Sequence, residues 1–143
     1  MPSGSCQRVD DLPGEARAII DDARRAFLST VDGAGHPHCL PVCFAVKRLE
    51  LVSALDYKPK SGRRLQRVRN LERDPRATLL FDAWSEDWSE VGWVMVRGGA
   101  RLEDPGYGDA ELGRRYPQYA ARPPEGRVIV LSPKRIVWWT GRE

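Results

Sequence analysis

The chain lacks several features that identify common classes of protein. No apolar run approaches the ~18 to 20 residues of a membrane-spanning helix, and the N-terminal segment has no apolar signal core. The three cysteines do not have metal-site spacing. His36 and His38 lie in a turn with no third ligand nearby, and there is no G-x-S-x-G motif. We therefore expect no membrane span, no metal site and no serine hydrolase, but a cytoplasmic protein with reduced core thiols.

The remaining composition is that of an ordinary globular domain. The chain has 143 residues, enough to bury a core. Its net charge of +3 is too small for a dedicated nucleic-acid binder, whose basic excess is usually larger and spread along a face. We expect a flexible arm over residues 1–12 and one domain over residues 13–143.

Hydrophobic periodicity predicts a mainly β protein with a few helices. Helices are expected over residues 13–26, 65–71 and 109–116. Alternating apolar runs, separated by short turns that contain glycine or proline, predict antiparallel strands. These strands are expected over residues 27–31, 39–46, 49–55, 77–81, 91–102, 127–131 and 135–139. Six or seven strands with short connections favour a closed or half-closed antiparallel barrel.

Three local patterns refine the expected strands. Gly98–Gly99 predicts a β-bulge or a sharp bend. Ser132–Pro133 predicts a break between the last two strands. Because side chains alternate along a strand, Trp138 and Trp139 should point to opposite faces, one into the core and one outward.

A strongly basic segment follows the third predicted strand. Between Tyr57 and Leu71 there is no acidic residue, and the cations are Lys58, Lys60, Arg63, Arg64, Arg67 and Arg69. The second half of this segment reads as a short helix. A strand followed by a basic loop and a helix N-terminus is suited to hold a phosphate, because backbone N–H groups, the helix dipole and the side chains all attract an anion.

The motifs in and around this segment resemble a known family. They are D-x-K-P-K at Asp56–Lys60, N-L-x-x-D-P-R at Asn70–Arg76, F-L-S-T-V at Phe27–Val31 and P-V-C-F at Pro41–Phe44. This order resembles the split β-barrel flavin- and deazaflavin-binding oxidoreductases of the pyridoxamine-5′-phosphate-oxidase-like superfamily. Within that superfamily the chain is most similar to the actinobacterial branch that uses coenzyme F420.

The resemblance implies a homodimer with the cofactor in a groove between two barrels. Lys58 and Lys60, with Arg63 and Arg64, would meet the cofactor phosphate. Pro41, Val42 and Ser53 would lie under its ring system. The other cofactor-binding residues implied are Asn70, Trp88 and Trp93, the tryptophans bordering the second subunit's cofactor. Arg67, Arg69 and Arg73 are interpreted as surface charges that could also hold the oligoglutamate tail of F420.

The function that the resemblance implies is an F420-dependent oxidoreductase acting by hydride transfer. A reductase of a planar conjugated molecule, such as a quinone, an enone or a biliverdin-like tetrapyrrole, is favoured. One alternative is the same fold using FMN as an oxidase or reductase, and another is a non-enzymatic carrier or sensor of F420 or flavin. No residue stands out as a catalytic proton donor.

Overall fold

The computed structural model describes residues 3–55 and 65–142. The strands in this part of the chain are β1 Ser3–Cys6, β2 Ala26–Val31, β3 Pro37–Val42, β4 Ala45–Lys47, β5 Glu50–Ala54, β6 Arg76–Ala83, β7 Gly92–Glu103 and β8 Val128–Thr140. The α-helices are α1 Gly14–Asp22, α2 Gln66–Arg73, α3 Asp109–Arg115 and α4 Pro117–Ala121, and there are short 3-10 helices at Val9–Asp11 and Trp88–Glu90. No helix in the described ranges is long and apolar enough to cross a membrane.

The strands form one antiparallel sheet that curls into a half-barrel. The order is β3-β2-β6-β7-β8-β5-β4, with β1 paired to β8. The two edge strands, β3 and β4, are joined only by Cys43 and Phe44. Four consecutive Cα atoms span at most about 11 Å, whereas six strand spacings in a flat sheet span about 29 Å. The chain connection therefore requires the sheet to curl, which confirms the predicted barrel class.

Strand β8 is the longest strand and has different neighbours along its length. It pairs with β7 throughout, with β5 over residues 128–131 and with β1 over residues 136–139. Pro133 lies between these last two ranges. The strand tolerates a proline there because one side carries no neighbouring described strand and the other side carries a bulge. The predicted break at Ser132–Pro133 is therefore wrong, and the two predicted strands are one.

The predicted bulge is confirmed, and its extra residue lies on β8. The pairing shifts between Arg97, which faces Arg135, and Gly98, which faces Pro133, so Lys134 is the additional residue. A Cβ atom at Gly98 would lie 2.0 Å from the Ser132 carbonyl oxygen. Only glycine allows the two backbones to approach this closely.

The N-terminal segment differs from the expected flexible arm. Ser3–Cys6 pairs with β8, and Val9 is fully buried in the core. Strand pairing between positions more than a hundred residues apart leaves no local pattern, and four residues are too few to show alternation. In addition, the predicted helix over residues 13–26 ends at Asp22, and the predicted strand over residues 39–46 divides into β3 and β4.

The sheet buries side chains on both faces near β5 and β8. Inside the barrel, Leu51 and Leu131 join the main core, which α1 and α2 cover at its ends. On the other face, Val52 and Val130 pack in a second cluster with Leu112 of α3. Of the adjacent tryptophans, Trp138 is 7% exposed and Trp139 is 37% exposed. The prediction that they point to opposite faces is confirmed.

A polar network joins β5, β7 and β8. The Glu50 carboxylate accepts hydrogen bonds from Arg101 at 2.6 Å, Ser132 at 2.8 Å and Tyr107 at 2.9 Å. The Arg101 hydrogen bond is the main cause that lowers the pKa of Glu50 to about 2, with burial acting in the opposite direction. The ionised carboxylate is therefore the form that the folded state stabilises.

We predict that Glu50→Gln lowers the free energy of unfolding at pH 7 by about 1–2 kcal/mol, because hydrogen bonds to a charged group are lost. Glu50 has a pKa below its ordinary value of 4.5, so its contribution is complete above that pH and is lost as the pH falls toward about 2. Urea unfolding at several pH values measures the difference. The exposed Glu125→Gln is the matched control, and a difference independent of pH would contradict the assignment.

Candidate functional site

A small cavity of about 200 Å³ lies at the C-terminal end of β3. Its lining comes from five separate parts of the chain. The residues are Arg25, Pro41, Val42, Cys43, Ala54, Arg67 and Tyr119. Two residues that the resemblance placed under a cofactor ring, Pro41 and Val42, are thus on one wall.

The cavity is bordered by residues on both sides of residues 56–64, which carry four of the six cations of the basic segment. Ala54 is the last residue of β5, and Arg67 is in the first turn of α2. The connecting residues 56–64, and with them Lys58, Lys60, Arg63 and Arg64, lie outside the described residues. Their role at a phosphate stays a prediction, but the two places where the segment joins the fold are at the cavity.

The charge of the described lining is positive. Arg25 and Arg67 both line the cavity, and none of its described lining residues carries a carboxylate. The guanidinium carbon of Arg25 lies 5.4 Å from the ring centroid of Phe27, so it is oriented by a cation–π contact. The α2 N-cap, Leu65, makes no side-chain capping hydrogen bond. Two guanidinium groups and a helix N-terminus are suited to an anionic group.

The helices after β7 hold the walls of this cavity in place. The Tyr116 hydroxyl accepts a hydrogen bond from the Phe44 N–H at 3.1 Å and donates one to the Arg24 carbonyl at 3.0 Å. The Arg115 guanidinium lies 4.2 Å from the Phe44 ring centroid and donates to the Asp21 carbonyl at 3.1 Å. These contacts tie α3 to residues 21–25 and to the connection between β3 and β4.

The structure does not bring all predicted residues to the cavity. Ser53 is 5% exposed, and alternation along β5 places its side chain on the face opposite Ala54. Asn70 is fully buried, donates to the Thr30 hydroxyl at 2.9 Å and accepts from the Gln66 amide at 2.7 Å. Its amide joins α2 to β2, so its described contacts are structural rather than part of the cavity.

The predicted tryptophans also lie away from the cavity of their own chain. Trp88 is 74% exposed in the short 3-10 helix. Trp93 is half-buried on β7, where it pairs with Asp82 and Trp139. The resemblance placed these residues at the cofactor of a second subunit, and that stays a prediction.

An apolar row crosses the outer face of the sheet and ends at the cavity. We call it the outer row, and it consists of Pro41, Phe27, Leu80, Met95 and Val137. Each of these residues is the direct cross-strand partner of the next, and all five are half-buried or exposed. An apolar sheet face of this length without a covering layer, in the described part of the chain, indicates a surface for association.

Sequence reasoning missed four lining residues, which are Arg25, Cys43, Ala54 and Tyr119. Arg25 and Tyr119 had no recognisable signal, since a basic pair before a strand and a tyrosine after a proline are common. Arg67 is predicted to be a surface charge that could also hold the oligoglutamate tail; it is half-buried and lines the cavity, and its role toward the tail stays a prediction. Of the other two helix arginines, Arg69 is exposed and Arg73 donates to the Val31 carbonyl at 2.6 Å.

No grouping of three or more His, Cys, Asp or Glu side chains suited to a metal ion occurs among residues 3–55 and 65–142. His36 is 3.7 Å from the Asp32 carboxylate in an exposed turn. Cys6, Cys39 and Cys43 are free thiols. The chemistry of the described lining is therefore that of two guanidinium groups, apolar walls, one tyrosine and the Cys43 thiol.

Comparisons with solved structures support the fold. The conserved hypothetical protein Rv2991 from Mycobacterium tuberculosis has a TM-score of 0.72 at 21% identity, over 96% of this chain and 91% of that one. An F420 reductase has a TM-score of 0.64 at 18% identity, over 87% of this chain and 98% of that one. A heme-binding protein from Mycobacterium smegmatis has a TM-score of 0.68 at 23% identity, over 90% of this chain and 53% of that one.

The curled antiparallel sheet with its short connections defines a split-barrel protein. A sequence model of the pyridoxamine 5′-phosphate oxidase family matches residues 12–140. The chain belongs to this family, which confirms the superfamily that its motifs indicated. No curated protein sequence matches the chain significantly.

We predict that Tyr116→Phe lowers the free energy of unfolding by about 1–3 kcal/mol, because the buried Phe44 N–H loses its acceptor. The ring and its contacts with Tyr119 remain, so the variant tests the hydroxyl alone. Urea denaturation measures the change. A loss below about 0.3 kcal/mol would show that the hydroxyl does not hold the cavity wall.

Proposed function

We propose that this protein is a coenzyme F420-dependent oxidoreductase, with the cavity between Ala54 and Arg67 as its cofactor site. One observation carries the proposal. In a member of the pyridoxamine 5′-phosphate oxidase family, both ends of the basic segment meet the wall formed by Pro41 and Val42. The segment supplies cations for a phosphate, and the wall supplies an apolar surface for a ring.

The described residues suit a planar cofactor that carries anionic groups. Arg25 and Arg67 can donate paired hydrogen bonds to a phosphate or a carboxylate. Val42 and Ala54 are apolar and small, so a flat ring can lie close to the backbone of β3 and β5. When bound, F420 supplies hydride transfer, and the protein positions it and keeps water away.

F420 is favoured over FMN by the number of cations. A single phosphate needs few guanidinium groups, but Arg25 and Arg67 lie at the cavity in addition to the four cations of residues 56–64. An acidic tail beyond the phosphate offers a use for the surplus. The structural neighbour described as an F420 reductase is consistent with this choice, while the family as a whole leaves FMN as the second candidate.

The cavity needs a further wall to hold such a cofactor. Its volume is about 200 Å³, whereas ligand sites usually measure about 300–1,000 Å³. The outer row begins at Pro41 in the cavity and continues uncovered across five strands. We therefore infer that a second copy of the chain packs on the outer row and completes the site, as the family resemblance implies.

A substrate would lie against the exposed side of the ring. A hydride acceptor stacked on a planar donor must itself be conjugated and mostly flat. This geometry favours a quinone, an enone or a biliverdin-like tetrapyrrole, with reduction as the direction. A panel of such compounds, assayed with reduced F420, tests the enzymatic part of the proposal separately from cofactor binding.

We predict that F420 quenches tryptophan fluorescence saturably, and that Lys58→Ala and Arg67→Gln each weaken binding about tenfold or more. Each substitution removes a charge-assisted hydrogen bond, whose loss costs about 1.5–3 kcal/mol. A titration of the purified full chain measures the dissociation constant, and a parallel titration with FMN ranks the two cofactors.

Arg8→Gln is the matched control. Arg8 is exposed, pairs with Asp11 and does not line the cavity. Tighter binding of FMN would retain the site and replace the cofactor. Binding of neither cofactor, or equal loss of affinity in the control, would contradict the proposed site.

We predict that Met95→Glu converts a dimer into a monomer and weakens F420 binding at least tenfold. A carboxylate in the middle of the outer row would be buried without a partner in the dimer. Light scattering coupled to size-exclusion chromatography measures the mass.

Leu49→Glu is the control for the dimer, because Leu49 is an exposed apolar residue in the turn between β4 and β5. A wild-type protein that is monomeric at micromolar concentration and still binds F420 tightly would contradict the role of a second copy.

A further inference from the structure

We propose that a second cavity, formed where the bulge interrupts the sheet, binds a small organic anion with an apolar body. This bulge cleft has a volume of about 470 Å³, which is within the ordinary range of ligand sites. It lies between β2, β3, β6, β7 and β8. Its lining combines three cations with apolar side chains.

The cleft is a consequence of the bulge. The extra residue Lys134 and the contact between Gly98 and Ser132 bend the two central strands locally. Gly99, which also lines the cleft, has open space where a Cβ atom would be, with no heavy atom within 4 Å. The space beside β7 is therefore open rather than filled by neighbouring side chains.

Cations gather at this point of the sheet. Arg76, Arg97 and Lys134 line the cleft, and Arg135 is the direct cross-strand partner of Arg97. Of these, Arg76 is neutralised by Asp74, at 2.7 Å. Within the described chain, no carboxylate pairs with Arg97, Lys134 or Arg135.

Placing two arginines directly opposite each other on one face destabilises a sheet. Two acids that adjoin lining residues in sequence already have hydrogen-bond partners. Asp74 is occupied by Arg76, and Asp32, one residue beyond the lining residue Val31, accepts hydrogen bonds from the backbone N–H groups of Ala34 and His36 at 2.9 Å. A bound anion would neutralise the uncompensated charges.

The walls of the cleft define the rest of the ligand. Its apolar lining comes from Val31, Pro37, Pro75 and Ala77, with hydroxyl groups from Ser29 and Thr78. A bare inorganic anion would leave these apolar walls without a partner. The chemistry that fits is a carboxylate or phosphate monoester carried on a compact ring or branched aliphatic group.

The bulge cleft is separate from the cavity between Ala54 and Arg67, which we call the cofactor cavity. The two cavities share no lining residue in the described chain. Pro37 lines the bulge cleft and Pro41 lines the cofactor cavity, at opposite ends of β3. Four residues along a strand correspond to about 13 Å. Binding at the cleft can therefore be measured with no deazaflavin or flavin present.

Fluorine-detected NMR with 4-fluorobenzoate and 4-fluorophenyl phosphate tests the proposal on the full chain. We expect saturable binding of at least one probe to the wild type. The double variant Arg97→Gln/Lys134→Gln should bind at least tenfold more weakly. Gly99→Leu should also lose binding, since it keeps every cation and fills the open space.

Arg8→Gln/Arg114→Gln is the charge-matched control, because both residues are exposed and lie outside the cleft. It should bind as the wild type does. Circular dichroism and urea unfolding of each variant establish that the fold is intact before binding is compared.

Two outcomes would overturn the proposal as a whole. The first is no saturable binding of either probe, and the second is equal affinity in the double variant. If the first outcome is accompanied by loss of a dimer when Arg97 and Lys134 are replaced, the cations are assigned to acids of a second copy. Inorganic phosphate binding as tightly as the aryl probes would overturn the apolar part of the assignment.

Discussion

The two-residue connection from β3 to β4 is the constraint on which the rest of the structure depends. Because Cys43 and Phe44 must join opposite edges of the sheet, the sheet cannot be flat. Phe44 is held at this point by the Phe81 ring, with centroids 4.7 Å apart, by the Arg115 guanidinium and by the Tyr116 hydroxyl. Cys43 of the same connection lines the proposed cofactor cavity, so the connection that closes the barrel also forms part of that cavity's wall.

The proposed function depends on what this geometry brings together. Strand β5 ends beside β3, and α2 begins there as well, so the basic segment is attached at both ends to one small cavity. The outer row crosses the sheet from that cavity as an apolar surface. A basic segment and an apolar face are each common, but together they are consistent with the proposed flat anionic cofactor between two copies.

Much of the fold could be predicted from the sequence because its signals are local. Alternation within strands such as residues 77–81 and 91–102 is a property of neighbouring residues, and so is the glycine pair at the bulge. The basic segment was recognisable for the same reason. Its cations are adjacent in the chain, and its motifs are shared by a family.

The remainder depends on contacts between distant parts of the chain, which leave no local trace. Ser3–Cys6 pairs with residues 136–139 of β8, which lie more than a hundred residues away in sequence. Asn70 reads as a polar residue on a basic helix, but its partner is Thr30 on β2. Arg25 and Tyr119 reach the cofactor cavity because Tyr116 and Arg115 bind the segments around them. Pro133 lies within β8 because the strand's pairing changes from β5 to β1 on one side there and the bulge interrupts its pairing with β7 on the other.

Hydrogen–deuterium exchange of the full chain, with and without F420, is the most direct test of whether F420 binds in the cavity between Ala54 and Arg67. We predict slower exchange in the presence of F420 for peptides that cover residues 41–45, 54–68 and 117–121. Peptides around the bulge, residues 96–100 and 132–136, should show no comparable protection. Protection confined to the bulge peptides, or none in residues 54–68, would contradict the assignment of the cofactor site.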